Sequence, residues 1–81
     1  MIFHPTTLPG AMRIALEKRG DERGFFARTF CEREFAAQGL ETRFVQQNAS
    51  RSAQRGTLRG MHCPKGADAE VNLIRCVSGA I

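Results

Sequence analysis

Short runs of alternating apolar and polar residues, each cut off by glycine, proline, serine or asparagine, constrain this chain more than any other feature. Period-two alternation puts successive side chains on opposite faces of a strand, so such runs read as half-buried β-structure. Met12 to Leu16 alternates in this way, and Phe25 to Phe30, Arg43 to Ser50, Thr57 to Cys63 and Glu70 to Val77 are four further strand-like runs. In the first, Met12, Ile14 and Leu16 point inward; in the third, Phe44, Gln46 and Asn48 share a side. Residues 1 to 10, with two prolines, suit an irregular lead-in or an edge strand. Lys18 to Gly24, Ala53 to Gly56 and Pro64 to Ala69 supply the turns and loops. Glu32 to Gln38 is the one helical candidate, with Phe35 and Ala36 on a face with Glu32 and Gly39 placed to stop it. The expected class is all-β, a sandwich or barrel with one short helix.

Eighty-one residues make one small domain that buries a modest fraction of its surface. The run to Val77 followed by Ser78-Gly79-Ala80-Ile81 suggests a strand entering a turn with a new apolar residue just beginning. The expectation is therefore the N-terminal part of a longer architecture, or a chain that completes its fold by oligomerising.

Net charge is +4, and ten of the twelve cations are arginine, the better planar fork for phosphate or carboxylate. The arginines are scattered and no aromatic-rich basic strip accompanies them, which argues against a nucleic-acid binder. Cys31, Cys63 and Cys76 are odd in number and lack Cys-x-x-Cys spacing, so they indicate neither a disulfide framework nor a structural zinc site. No apolar run reaches the roughly 18 residues of a membrane span. A cytoplasmic protein without a membrane partner is expected.

The chemistry-bearing residues gather between Phe44 and His62. His62 titrates near neutrality and is the natural base, although a histidine satisfied by a backbone carbonyl fits the same position. With only His4 as a companion histidine, a metal is not expected. Arg59 lies three residues earlier and faces the opposite side of a regular strand; a bulge at Gly60 turns both into one cavity. Gln46 and Asn48 both donate and accept, which suits sugar hydroxyls or a base edge and equally suits an exposed edge strand. Arg23 sits on a turn, within reach of a ligand phosphate or in a surface ion pair with Asp21 or Glu22. Phe25 and Phe26 are core by default, or one of them stacks on a flat base.

Four ordered blocks carry a resemblance: Asp-Glu-Arg-Gly-Phe-Phe at 21 to 26, Phe-Val-Gln-x-Asn-x-Ser-x-Ser at 44 to 52, Leu-Arg-Gly-Met-His at 58 to 62 and Leu-Ile-Arg-Cys-Val-x-Gly at 73 to 79. In order and spacing they resemble the N-terminal half of the dTDP-4-dehydrorhamnose 3,5-epimerase family. The resemblance implies a jelly-roll, cupin-like fold of which residues 1–81 are the N-terminal part. It also implies a homodimer with exchanged N-terminal strands and no metal or redox cofactor. The implied reaction is proton abstraction beside the ketone of a dTDP-4-keto-6-deoxyhexose. By position, His62 matches the family's base, Arg23 and Arg59 its ligand-contacting arginines, Phe26 a nucleotide-contacting aromatic, and Gln46 and Asn48 its nucleotide-binding amides. Asn72 stands where the family commonly has the lysine that faces the enolate oxygen. Ala49, Pro64 and Arg28 replace a frequent histidine, glutamine and glutamate. The carboxylate partner of the base and the acid tyrosine belong to the family's second half, and this sequence has no tyrosine. A catalytically inactive homologue that binds a nucleotide sugar or assembles with a partner is the alternative.

Overall fold

Residues 1–60, 66 and 70–80 are described by the computed structural model, in which the chain divides into two compact units, Met1–Val45 and Gln46–Ile81. In the first unit β1 (Ile2–Pro5) and β2 (Met12–Ala15) form an antiparallel pair with Phe3 opposite Ile14 and His4 opposite Arg13. An aromatic facing a β-branched residue is a favourable cross-strand pair. Of the two, Phe3 also reaches the core, its ring edge-on to Phe35 at 5.7 Å. Pro5 ends β1 on an edge, where its missing N–H costs no ladder bond. The connection is tied by Thr6, whose hydroxyl lies 3.1 and 3.0 Å from the carbonyl oxygens of Leu8 and Ala11. The edge-strand reading of the lead-in therefore holds, and the inward set Met12, Ile14 and Leu16 is half-buried while Arg13 is exposed.

The second pair corrects the expectation that Lys18 to Gly24 is all turn. Arg19–Asp21 is strand β3, Gly24–Phe26 is β4, and only Glu22 and Arg23 form the loop between them. Neither loop residue takes a positive φ; Gly24 does, at 132°, a backbone state open mainly to glycine. Asp21 closes the loop by accepting the Arg23 backbone N–H at 2.9 Å, the local side-chain turn for which aspartate is suited. The expected strand from Phe25 to Phe30 stops at Phe26.

Helix α1 (Glu32–Ala37) lies where the sequence puts it. Its first turn carries Glu32 and Glu34, which complement the positive end of the helix dipole. At its end Gly39 N–H donates to Ala36 O at 3.0 Å and Leu40 N–H to Phe35 O at 3.0 Å, while Gly39 takes φ 70°. That is a Schellman closure, which satisfies carbonyls the helix leaves open. Six residues are too few to hold a helix by propensity. Packing holds it instead: Phe35 is the buried residue of the described chain, 2% exposed, and Phe30 meets its ring at 4.7 Å. Phe44 extends the cluster, 6.0 Å from Phe30. Glu34 adds a charged clamp, accepting from Arg28 at 3.0 Å and from the terminal ammonium of Met1 at 3.1 Å, while Glu17 accepts from the same ammonium at 3.0 Å.

In the second unit the expected turn at Ala53 to Gly56 is present, fastened by the Thr57 hydroxyl donating to Gln54 O at 2.8 Å. The strands expected around it are not: among the described residues, 43–50, 57–60 and 70–77 carry no paired-strand hydrogen bonds. Phe44 packs on Phe30 in the first unit, but the described apolar members within the second unit are exposed, Leu58 at 94% and Val77 at 83%. Alternation specifies which side chains share a face but not which neighbour completes the ladder, and without that neighbour no strand forms. Among the described residues the chain thus has two small antiparallel sheets and one short helix. No helix there is long and apolar enough to cross a membrane.

Candidate functional site

Two of the sequence-selected residues come together on the β3–β4 hairpin. Arg23 and Phe26, with Arg19, Asp21, Gly24 and Phe25, line an open hollow of about 270 Å³. Phe26 is 78% exposed, an unusual position for a large aromatic and a ready platform for a flat ligand. Arg23 is held: its Nη2 donates to Asp21 at 2.8 Å and its Nε at 3.2 Å. This is the surface ion pair that competed with a ligand role, and it draws the Asp21 carboxyl below the usual carboxylate range, first through the guanidinium hydrogen bonds and then through the Arg23 backbone N–H. Lys18 Nζ sits 4.5 Å from the ring centre of Phe25. A second hollow of about 300 Å³, between the β1–β2 turn and the end of α1, is lined by residues such as Pro5, Met12 and Leu40 and has no titratable side chain. The hairpin is therefore the better seat for a charged ligand.

Within the second unit, Gln46, Asn48 and Asn72 are exposed. Arg59 folds back over the turn, its Nε donating to Ser52 Oγ at 2.9 Å and its Nη2 to Arg51 O at 3.2 Å. With no strand through 57–60, the bulge expected at Gly60 has nothing to interrupt. His62 lies outside the described residues, as do Cys63, Pro64 and the rest of 61–65. Among the described residues no three His, Cys, Asp or Glu side chains group as metal ligands.

Sequence reasoning passed over Arg19. Reading Asp-Glu-Arg-Gly as a two-residue hairpin loop sets Arg19 directly opposite Phe26, and that signal was hidden once Lys18 to Gly24 was taken as turn.

The sequence model of dTDP-4-dehydrorhamnose 3,5-epimerase matches residues 5–81. The chain belongs to the dTDP-4-dehydrorhamnose 3,5-epimerase family. Curated relatives carrying that name agree. The chain is 46% identical over 79 residues to one from Methanothermobacter thermautotrophicus, covering 98% of this chain and 42% of the relative. It is 37% identical over 81 residues to one from Sinorhizobium fredii, covering 100% and 42%, and 35% identical over 82 residues to one from Salmonella typhimurium, covering 100% and 44%. The chain thus spans less than half the length of these epimerases. No solved structure matches it significantly. All seven residues singled out from the sequence fall inside the span that the epimerase family model covers.

Proposed function

We propose that this chain supplies the base-bearing, N-terminal part of a 3,5-epimerase acting on a dTDP-4-keto-6-deoxyhexose. The observation that carries the reading is the family match over residues 5–81, which spans every residue assigned a role. In such a sugar the 4-keto group acidifies the hydrogens on both neighbouring carbons. His62 takes one of these protons through its neutral imidazole, and the electron pair moves onto the keto oxygen as an enolate. Hydrogen-bond donors stabilise that oxygen, and reprotonation of the carbon from the opposite face inverts it. Arg59 and Asn72 are the donors assigned here, while Arg23, Phe26, Gln46 and Asn48 hold the nucleotide. The reading carries with it a cupin-like jelly roll, a dimer exchanging N-terminal strands and a cytoplasmic setting.

One feature favours a second reading, a nucleotide-sugar-binding homologue without activity: Asn72 is an amide where a cation would counter the enolate charge more strongly. Deuterium incorporation from heavy water into a dTDP-4-keto-6-deoxyhexose separates the two. The epimerase reading expects incorporation that His62→Ala lowers by about 10²- to 10⁴-fold with nucleotide binding kept. Incorporation at an unchanged rate in that variant would remove His62 as the base. Binding with no incorporation, restored by Asn72→Lys, would select the second reading.

A further inference from the structure

The hairpin hollow contains three charges, and their arrangement singles out Arg19. Asp21 and Arg23 neutralise one another through a close two-point contact, at 2.8 and 3.2 Å, so the pair offers an incoming anion little net charge. Arg19 lines the same hollow and, among the described residues, makes neither an ion pair nor a side-chain hydrogen bond. Its register partner is Phe26. Residues directly opposite in an antiparallel ladder project to the same face, so guanidinium and exposed aromatic stand side by side. Lys18 sits over the Phe25 ring and is not among the residues lining the hollow. Among the described residues, the lining of this hollow therefore carries one uncompensated positive charge, that of Arg19.

We infer that Arg19 is the anion anchor of this hairpin: it grips the diphosphate of a nucleoside diphosphate whose base lies against Phe26. The inference rests on the nucleotide-sugar reading and deepens it by assigning the phosphate contact to a residue outside the recognised motif. Arg23, already bound to Asp21, forms the rim. A planar guanidinium with none of its N–H groups engaged among the described residues is the stronger phosphate ligand of the two.

Calorimetric titration of the full chain with dTDP, thymidine and inorganic pyrophosphate tests this, using Arg19→Gln and Arg23→Gln, which keep a polar stem and remove the charge. Arg19→Gln is expected to weaken dTDP and pyrophosphate by about tenfold, the loss of one charge-assisted contact, and to leave thymidine unchanged. Arg23→Gln is expected to do less. The assignment is overturned if Arg19→Gln binds dTDP as wild type does, or if it loses thymidine equally. If wild type binds dTDP and only Arg23→Gln weakens it, Arg19 fails while the nucleotide-sugar reading stands. Pyrophosphate binding that depends on Arg19 without any dTDP binding keeps the anchor and removes that reading. Binding of neither ligand ends both.

Discussion

Residues 1–45 and 46–81 have similar alternating patterns but different outcomes. In the first unit every element closes on a neighbour nearby in the chain: β1 on β2, β3 on β4 across two loop residues, and α1, through Phe35, on Phe30 just before it. Local closure costs little chain entropy, and the contacts of Phe3 and of the Met1 ammonium with α1 then tie these elements together. In the second unit the described runs find no ladder, and their apolar side chains remain exposed. The lesson is that an alternating run is a half-specified strand, and the neighbour is the other half.

The most severe way to break the contrast is Phe35→Ala. Phe35 is the buried hub of the first unit, and truncating a buried phenylalanine costs about 3–5 kcal/mol. In so small a unit that loss is expected to abolish the amide protection of β1, β2 and α1 together. Survival of that protection would mean the ring cluster does not hold the unit. Next comes Gly39→Ala. A non-glycine residue at φ 70° loses about 1–2 kcal/mol, expected as faster exchange at the Gly39 and Leu40 amides with the β3–β4 hairpin unaffected.

Acid sharpens the comparison more gently. Arg23 holds the Asp21 carboxyl below its ordinary range, Arg28 and then the terminal ammonium do so for Glu34, and the backbone N–H groups of Arg43 and Thr42 do so for Glu41. A depressed carboxylate contributes stability that is complete above its unfolded value and is lost as pH falls through the folded one. All three lie in the first unit, so acid titration followed by carboxyl NMR should show their midpoints below those of free carboxylates, with the Arg23 amide shifting alongside Asp21. A midpoint for Asp21 at the free-peptide value would dissolve the hairpin ion pair. Smallest of all is Leu58→Ser. The side chain is 94% exposed, and the change is expected to alter thermal stability by no more than about 0.5 kcal/mol. A large loss would reveal a core in the second unit.

Legibility in the sequence followed the same division. Glu32, Phe35 and Gly39 announced the helix because its start, buried contact and stop all lie within a few residues. Met12 and Ile14 announced β2 for the same reason. β3 was missed because Gly20 and Asp21 look like turn residues, although the register places them in a strand, and with it went Arg19. For Gln46, Asn48 and Asn72 the sequence supplied residue types and a shared motif, which sufficed to find the family. It could not supply geometry, since that depends on what lies across from each run.

The central claim is that the hairpin and the amide-bearing segment serve a dTDP-sugar, and an amide-resolved NMR titration of the chain with dTDP tests it most directly. The account predicts saturable shifts at Arg19, Arg23 and Phe26 of the hairpin, and saturable shifts at Gln46, Asn48 and Arg59 of the amide-bearing segment. Unchanged resonances at both segments under saturating dTDP would contradict it.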